Sequence, residues 1–416
     1  MADFVQYGIS KRANTDGLGV PMIRMNNLQP LGWDFSDLKH IELSHSDLEK
    51  YRLEKGDILF NRTNSKELVG KCEVFSEDGD WVFASYLIRV RLDTSRVLPE
   101  FVSAFLNTDA GRMQIDQVSR QIAGMSNVNA EELKELEIPL PSLADQKSIL
   151  NDLRQALNER DQLLTEARHR LASIQQIITK EIGVGEKIHG QKVFGITRSE
   201  LLSSLNPERY AVLPIENQLG GQQSVADAGE IIQKKVFANK KYPGERVAWL
   251  RIDDLENEPI GVEKLRYELS EEITGALIEV QEGDLLVARL GPTILNGKAV
   301  LAPSAKVPIL ASPEFHVLRS NKNWNSTFLL WLIKTATYRS IMYGRSRGGT
   351  PSRYRLSSDD FASIPLPSIS LPKQEEVADA CQREVMLSIS SRLRANEIWQ
   401  SARVRFEIQL LGEIPA

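Results

Sequence analysis

Short apolar runs alternate with longer amphipathic segments, and this order occurs twice along the chain. The first round contains the apolar runs VPMIRM, GDILFN and WVFASYLIRVRL, and the second contains RVAWLRI, GDLLVARL and KAVLAP. Short runs of this kind, bounded by turn residues, predict strands. Apolar residues then recur at helical spacing in PEFVSAFLNTDAGRMQIDQV and in WNSTFLLWLIKTATYRSIMY. The pattern therefore predicts a mixed unit of strands followed by helices, present in two copies.

The two copies are related by a nearly constant offset in residue number. GDILFNRTNSKELVGK begins at Gly56 and GDLLVARLGPTILNGK begins at Gly283, which is an offset of 227. The other segments at this offset are VPMIRMNNL (20–28) with VAWLRIDDL (247–255), and Ala84-Ser85 with Ala311-Ser312. The tetrapeptide IPLP at 138–141 recurs at 364–367, an offset of 226. Matches at a nearly constant offset, with a shift of only one residue, indicate an internal duplication of a unit of about 230 residues.

A long polar segment without proline follows each IPLP, and it predicts a long helix. In the first segment the apolar positions with heptad spacing are Leu150, Leu153, Leu157, Leu164, Ala167, Leu171, Ile174 and Ile178, interrupted by Arg160. In the second they are Met386, Ile389, Leu393, Trp399, Ala402 and Phe406. A helix of 40 residues is about 60 Å long. We expect the two helices to pack on each other; the alternative is that both are surface helices on a globular core.

Composition places the chain among soluble proteins and leaves its chemistry open. A length of 416 residues suggests two or three domains. The sequence contains no apolar run long enough to span a membrane and no signal peptide, and its two cysteines form no disulfide framework or zinc pattern. A cytoplasmic protein is expected. The net charge of −5 argues mildly against nucleic acid, but local basic clusters decide that question.

Catalytic motifs are missing from the sequence. There is no phosphate-binding glycine loop, no dinucleotide fingerprint, no HExxH and no Asn/Asp-Pro-Pro-aromatic tetrapeptide of an amino-methyltransferase. A nuclease-like set of Asp57, Glu67 and Lys71 is not kept in the second copy, where Ile294 replaces Glu67. The sequence therefore offers no candidate catalytic or metal-ligating residue.

The two copies differ most in polar loops, and these loops carry the candidate binding residues. NRTNSKELV aligns with ARLGPTILN, and RQIAGMSNVN aligns with RSRGGTPSRYR, which contains four arginines and no acid. Such side chains read base edges and bind phosphates, although a solvated polar loop is the alternative. The candidate DNA-contacting residues are Arg24, Asn26, Asn27, Arg62, Asn64, Ser65, Lys66, Lys71, Arg120 and Gln121 in the first copy, and Arg251, Arg289, Lys298, Arg345, Arg347, Arg353, Tyr354 and Arg355 in the second.

The repeated motifs resemble those of a known family. GDILFNRTNSKELVGK, IPLPSLADQKSIL and IPLPSISLPKQEEVA, each part of a two-fold repeat, are similar to segments of the DNA specificity subunits of type I restriction-modification systems. The resemblance covers nearly the whole chain. It implies an α/β (α+β) fold in which two similar target recognition domains are related by pseudo-two-fold symmetry and separated by two long helices, packed as an antiparallel coiled coil. The implied boundaries are 1–142 and 184–370 for the domains, and 143–183 and 371–412 for the helices.

The resemblance also implies a function. Each domain would read one half of a bipartite site in double-stranded DNA, and the helices would set the spacer and dock two methyltransferase subunits. The chain would be non-catalytic and hold no cofactor, with S-adenosylmethionine, ATP and Mg²⁺ on the methyltransferase and motor/endonuclease partners, and with no membrane contact. Two alternatives stay open: a stand-alone DNA nuclease or methyltransferase with its own recognition halves, and a scaffold without a role on DNA.

One departure from the family pattern concerns the segment before the second copy. GITRSELLSSLNPERYAVLPIENQLGGQQSV precedes its first strand, whereas at offset 227 Met1 aligns with Ala228. The first copy therefore has no counterpart of this preamble. Either the first recognition domain is naturally short, or its start is missing relative to the family.

Overall fold

The computed structural model describes residues 2–29, 32–65, 68–122, 125–183, 207–219, 222–255 and 265–412. The chain forms two compact units. Unit 1 comprises Met1–Leu163 and Arg394–Ala416, and unit 2 comprises Leu164–Leu393. This division falls inside the two long helices, whereas the sequence suggested them as separate segments. Within the described ranges, no helix has both the length and the apolar character needed to cross a membrane.

Unit 1 is built from short strands followed by helices, in the order that the apolar runs predicted. Its strands are β1 (Ala2–Tyr7), β2 (Val20–Ile23), β3 (Leu28–Gln29), β4 (Gly32–Trp33), β5 (Lys39–Ile41), β6 (Ile58–Asn61), β7 (Thr63–Asn64), β8 (Cys72–Val74), β9 (Val82–Phe83), β10 (Leu87–Leu92), β11 (Arg120–Ile122) and β12 (Met125–Asn127). Its helices are α1 (His45–Tyr51), α2 (Pro99–Leu106), α3 (Asp109–Val118), α4 (Ala130–Lys134) and the first half of α5 (Leu143–Ile182).

The main sheet of unit 1 is antiparallel and has the strand order β1-β10-β6-β8. A second sheet, β5-β2-β9, contains a parallel pairing of β2 with β9. Helices α2 and α3 pack on the main sheet, and buried residues such as Phe60, Phe101 and Ile115 belong to the same core. All four residues of β6 are buried, because Ile58 and Phe60 belong to this core and Leu59 belongs to a second apolar cluster on the other face of the sheet.

Unit 2 repeats this construction with additions. Its strands are β13 (Gln223–Ser224), β14 (Gly229–Ile232), β15 (Lys235–Val236), β16 (Arg246–Leu250), β17 (Arg266–Leu269), β18 (Leu277–Val280), β19 (Leu285–Ala288), β20 (Ala299–Leu301), β21 (Ile309–Ala311), β22 (Phe315–Ser320) and β23 (Pro365–Leu366). Its helices are α6 (Pro207–Gln218), α7 (Val225–Ala228), α8 (Ala238–Lys241), α9 (Gly291–Leu295), α10 (Ser326–Lys334), α11 (Ala336–Arg345), α12 (Ser358–Ala362) and most of α13 (Leu371–Leu411).

The main sheet of unit 2 has the order β14-β22-β19-β20, which matches that of unit 1 strand for strand. The second sheet, β15-β18-β21-β16-β17, keeps the parallel pairing as β16 with β21 and adds β15 and β18. The internal duplication that the sequence predicted is therefore present as two copies of one strand topology. The predicted pseudo-two-fold relation between the copies stays a prediction.

Hydrogen bonds correct part of the sequence alignment. Ala84 N donates to Ile23 O at 2.9 Å, and Ser312 N donates to Leu250 O at 2.9 Å. Ala84 therefore corresponds to Ser312 at offset 228, so the assignment of Ala84-Ser85 to Ala311-Ser312 was one residue out of register. Pairing fixes the register within a strand, so the extra residue is absorbed in the turn between β20 and β21.

The Gly-Asp that opens each matching segment has the same structural role twice. Gly56 and Gly283 adopt φ of 93° and 83°, a left-handed conformation that favours glycine. The following aspartates are buried and bind an arginine on the neighbouring strand. Asp57 Oδ1 accepts from Arg91 Nε at 2.7 Å, and Asp284 Oδ2 accepts from Arg319 Nη2 at 2.7 Å.

A buried glutamine on each long helix explains the Gln in IPLPSLADQ and IPLPSISLPKQ. Gln146 Oε1 accepts from Leu98 N at 2.9 Å, and Gln374 Oε1 accepts from Asn325 N at 2.9 Å. Leu98 and Asn325 are the N-cap residues of α2 and α10. Each glutamine therefore ties a long helix to the start of a core helix, whose first N–H groups have no partner inside the helix.

The long helices pack antiparallel within unit 2, as predicted. Along α5 the residue numbers rise while those of the α13 partners fall. The pairs are Ala167 O with Ser388 Oγ at 3.0 Å, Arg170 with Glu384 at 3.2 Å, and Glu181 with Lys373 at 3.4 Å. Within unit 1, Arg160 of α5 lies 5.5 Å from the ring centre of Trp399, so the one polar interruption of the first seam also packs on α13.

The seam predicted for α13 is partly wrong. Met386 and Leu393 are 57% and 61% exposed, whereas Ser388 and Ala395 are buried one or two positions away. Ser388 is buried because its hydroxyl donates to the carbonyl of Ala167. The buried positions of α13 include these small and polar side chains as well as Val385 and Phe406, and a search for large apolar residues alone passes over Ser388 and Ala395.

Candidate nucleic-acid interface

A small hairpin in unit 1 gathers several of the predicted DNA-contacting residues. Strands β11 and β12 pair antiparallel, with Arg120 opposite Asn127, and β12 also pairs with β7, with Asn127 opposite Thr63. This three-stranded sheet contains TN of NRTN in the first polar loop, and RQI and MSN of the second. Two loops that are about 60 residues apart in sequence therefore form one surface.

Arg62 is the best-supported residue of this surface. Its Nη2 donates to Asn127 Oδ1 at 3.0 Å, and its guanidinium lies 4.9 Å from the centre of the Tyr7 ring. Tyr7 Oη in turn accepts from Ala130 N at 2.9 Å. The guanidinium is held in place by an aromatic face and an amide, neither of which neutralises its charge.

The other candidates of unit 1 surround Arg62. Arg120 is 73% exposed at its side chain and forms an ion pair with Glu132 at 2.7 Å. Asn64 Nδ2 lies 3.8 Å from Met25 Sδ, and Asn64 Oδ1 accepts from Ser65 N at 2.9 Å. Lys66 lies outside the described residues, and Gln121 is described only as part of the β11 backbone.

Unit 2 carries a corresponding hairpin in the segment RSRGGTPSRYR. Arg347 and Arg355 pair antiparallel through two backbone hydrogen bonds of 2.9 Å, and Arg355 also bridges to Leu290. Between the paired arginines lies a tip with a 3-10 turn at Pro351–Arg353. A Cβ on Gly348 would lie 2.6 Å from Arg353 O, so the tip closes only around a glycine.

The arginines of this hairpin present charge at the surface. Arg355 pairs with Glu314 at 2.9 Å and Arg347 with Asp360 at 3.4 Å, and both guanidinium groups remain more than half exposed. Arg353 is exposed, and its guanidinium makes no hydrogen bond or ion pair with another described residue. Tyr354 packs beneath the tip, with its ring centre 5.8 Å from that of Tyr343.

Arg345 does not belong to this exposed set. Its side chain is 10% exposed, and its Nε donates to Glu216 Oε1 at 2.8 Å. The same oxygen accepts from Arg209 Nη1 at 2.8 Å, and Arg345 Nη1 donates to Ser363 Oγ at 2.6 Å. All of these contacts lie inside the fold, so Arg345 anchors the base of the hairpin to α6 and is not available to DNA.

The segments that follow β2 in unit 1 and β16 in unit 2 have a largely structural role. Asn27 is 1% exposed, accepts from Arg24 N at 2.9 Å and donates to Asp34 O at 2.8 Å, so its amide is occupied within the turn. Arg24 binds Asp37 at 2.8 Å, while Asn26 is exposed. In unit 2, Arg251 pairs with Asp253 at 3.4 Å.

The remaining candidate DNA-contacting residues, Lys71, Lys298 and Arg289, are partly buried or bound to other groups of the protein. Lys71 is half-buried, and burial followed by the charge of Arg112 lowers its pKa. Lys298 donates to the carbonyl of Leu255. Arg289, the counterpart of Arg62, donates to Pro313 O at 3.3 Å beside His316, whose pKa burial lowers to about 3. The two related arginines therefore have different environments.

Sequence reasoning missed the groups that hold these side chains. Glu314, Asp360 and Glu216 stabilise the hairpin arginines, and Tyr7 and Asn127 hold Arg62. They come from distant segments, so no spacing could have indicated them. Among the described residues, no group of three or more His, Cys, Asp or Glu side chains could hold a metal ion.

The comparisons with known proteins bear on both units. The family model "Type I restriction modification DNA specificity domain" matches residues 7–171. A putative type I restriction enzyme MjaX specificity subunit of Methanocaldococcus jannaschii is 22% identical over 423 residues, which is 99% of this chain and 91% of the relative. The type I restriction enzyme EcoKI specificity subunit of Escherichia coli is 27% identical over 176 residues, 42% of this chain and 38% of the relative.

A solved structure has the same fold. A chain from a study of complex assembly and conformational transition of the type I R-M system aligns with a TM-score of 0.51 and 13% identity. The alignment covers 98% of this chain and 96% of the other. The two chains therefore share a fold over nearly their whole length.

Proposed function

Because the chain belongs to the type I restriction-modification DNA specificity subunits, we propose that its two units each read one half of a bipartite DNA site and that it catalyses no reaction itself. Unit 1 would read its half through the β11–β12 hairpin with Arg62, Asn64 and Arg120. Unit 2 would read its half through the hairpin of Arg347–Arg355.

The observation that carries this proposal is the repeated hairpin. It stands at the same place on the same strand topology in both units, next to the end of β6 or β19. The order of the strands beneath it is the same in both copies, while the exposed side chains differ. A common scaffold that presents two different polar surfaces suits a protein that recognises two different short sequences.

The side chains suit contact with DNA in particular. Arginine donates two parallel hydrogen bonds to guanine O6 and N7, and asparagine does the same with adenine N6 and N7. Arg353 has all of its donors free of described partners, and Arg347 and Arg355 keep donors free beyond their single ion pairs. Arg353 would read a base, and the two paired arginines would bind phosphates on either side of it.

We propose further that the chemistry and the cofactors belong to partner subunits. Two methyltransferase subunits would dock on the chain and use S-adenosylmethionine, and a motor/endonuclease subunit would use ATP and Mg²⁺. The buried helix seams would set the spacer between half-sites. Insertion of one heptad within 150–178 adds about 10 Å, near three base pairs at 3.4 Å each, and should lengthen the spacer without changing either half-site.

The deciding experiment is to co-express the chain with its methyltransferase partner and map methylated adenines across the genome. We expect a bipartite motif, and we expect that exchange of residues 347–355 changes only one half of it. A change in both halves, or in neither, would contradict the assignment of the hairpin. The purified chain alone, incubated with DNA, Mg²⁺ and S-adenosylmethionine, should neither cut nor methylate; turnover would support the stand-alone enzyme instead.

A further inference from the structure

A lysine-rich segment of unit 2 lies outside the hairpin and outside the residues that the sequence singled out. Residues 233–241 read QKKVFANKK, with four lysines and no acid. We call them the lysine segment. All four lysines are exposed, and Phe237 is 47% exposed with its ring centre 5.1 Å from Lys240 Nζ. A cluster of this kind needs an explanation because it concentrates like charge.

Among the residues that the structure describes, one of the four lysines pairs with an acid. Lys241 forms an ion pair with Glu279, which also accepts a hydrogen bond from Tyr242. The pKa of Glu279 is lowered mainly by Lys241, and in small part by the more distant charge of Lys234. Lys234, Lys235 and Lys240 make no hydrogen bond or ion pair with another described residue. The segment therefore presents three positive charges.

Strand pairing places the lysine segment beside the hairpin. The segment begins after Ile232, the last residue of β14, which pairs with Val317 of β22. Lys235 pairs with Ile278, which pairs in turn with Ala311 of β21. Neighbouring strands lie about 4.8 Å apart, so the Cα atoms of Lys235 and Ala311 are about 10 Å apart.

The turn between β21 and β22 connects this region to the hairpin. Glu314 lies in that turn and pairs with Arg355 at 2.9 Å. The lysine segment and the hairpin arginines therefore lie at the same end of the main sheet of unit 2. The corresponding position in unit 1 has less free charge, because Lys11 is paired with Asp47 at 2.8 Å.

We propose that Lys234, Lys235 and Lys240 bind the phosphodiester backbone of DNA beside the half-site that the unit 2 hairpin reads. The inference rests on the proposed function and adds a binding site to it. A lysine ammonium is a compact charge on a flexible stem that neutralises a phosphate without reading a base. The lysine segment would raise the affinity of unit 2 for every sequence alike.

The test compares two double variants of the full-length chain. K234Q/K235Q removes two charges from the lysine segment. K306Q/K322Q removes two exposed lysines of the same unit that follow the opposite end of the main sheet, after β20 and after β22. K234R/K235R retains the charge and serves as the rescue. Binding to a random-sequence duplex is measured across salt concentrations, and circular dichroism checks that each variant is folded.

We expect K234Q/K235Q to lower the slope of log K against log salt by about 2, because each phosphate contact contributes about 0.9. Affinity should fall on the order of tenfold, whereas K306Q/K322Q and K234R/K235R should behave as the unmodified chain does. Equal losses in both glutamine variants would mean an effect of net charge alone and would overturn the proposal, as would no loss in either.

Two further outcomes are separable. If K234Q/K235Q changes the preference between the mapped motif and a motif altered in one half, the lysines read bases and the backbone assignment is wrong. If the unmodified chain shows no salt-dependent binding, the proposed function itself fails. If the unmodified chain binds DNA with the expected salt dependence and K234Q/K235Q binds equally well, the lysine segment is not a DNA contact and the proposed function is unaffected.

Discussion

Units 1 and 2 build their hairpins on the same sheet but support them differently. In unit 1 the hairpin pairs along β12 with β7, and the guanidinium of Arg62 rests on Tyr7. In unit 2 the hairpin has a single bridge to Leu290, and Arg345 ties its base to Glu216 of α6. Val118 occupies the position of Arg345 in unit 1.

The comparison shows which residues a repeated scaffold keeps. Both units retain a buried aspartate with its arginine, and a buried glutamine of a long helix that binds the start of a core helix. These groups neutralise a buried charge and provide a hydrogen-bond partner for a backbone N–H group. The support of the hairpin differs, because Tyr7 and Asn127 hold Arg62 in unit 1 whereas Glu216 holds Arg345 in unit 2. A recognition surface can therefore change together with its local support while the sheet beneath it stays the same.

The largest expected effect concerns the shared aspartates. Replacing Asp57 or Asp284 by Ala leaves an arginine without its buried partner and should lower the free energy of unfolding by about 3 kcal/mol in each case. Urea unfolding measures the loss, and hydrogen exchange assigns it to the altered unit. The exposed ion pairs of Asp78 and Asp253 are controls whose removal should cost less than about 1 kcal/mol. A large loss in one unit only would break the comparison.

The next effect separates two arginines of unit 2. Arg345→Ala should lower the free energy of unfolding by about 2 to 3 kcal/mol, because Glu216 loses one of its two buried cations. Arg353→Ala should leave stability unchanged and weaken binding to the mapped motif by about 1–3 kcal/mol, with relaxed specificity at one position. Thermal unfolding and competition binding measure the two quantities. Unchanged stability in Arg345→Ala would return that residue to the candidate interface.

A pH-dependent difference follows from Glu73 in β8, whose counterpart in β20 is Val300. Burial, with a smaller contribution from Glu100, raises the pKa of Glu73 from 4.5 to about 7, against the lowering effect of the Val74 and Gly32 N–H groups. The folded chain then holds a proton that the unfolded chain releases between these values, so stability is full below pH 4.5 and is lost as pH rises to 7.

Glu73→Gln removes this loss. The variant should lie within about 1 kcal/mol of the unmodified chain near pH 5 and exceed it by at least about 2 kcal/mol at pH 8. Urea unfolding at both pH values measures the difference. Glu135→Gln, at an exposed position of the same unit, should show no such dependence. An equal difference at pH 5 and pH 8 would mean that Glu73 does not titrate in this range.

The smallest effect tests the glutamines. Gln146→Ala and Gln374→Ala remove the acceptor for the first turn of α2 and α10, and each should cost about 1 to 2 kcal/mol. The exposed Gln155 of α5 and Gln382 of α13 provide matched controls expected to cost almost nothing. Chemical unfolding compares the four variants. If the core glutamines proved as dispensable as the exposed ones, the helix attachment would rest on apolar packing alone.

The sequence predicted the duplication and the kinds of element, but several side chains were assigned wrongly. The repeated segments predicted two copies of one fold, whereas the strand order and the hairpins in the differing loops came from the structure. Arg345 and Asn27 were placed among the DNA contacts, although both are buried in hydrogen-bond networks. Their partners are remote or are backbone groups, so composition of the local loop could not separate an anchoring residue from an exposed one.

The sequence by itself determined the duplication, the strands and the two long helices. These follow from local periodicity and from matches at a fixed offset, which need no knowledge of contacts. Only the tertiary structure decided which polar residues face solvent, that Ser388 and Ala395 form the α13 seam instead of Met386 and Leu393, and that Lys235 lies near the turn holding Glu314. Burial and charge compensation depend on residues brought together from distant segments. The local pattern of a single sequence does not show which of these residues are in contact.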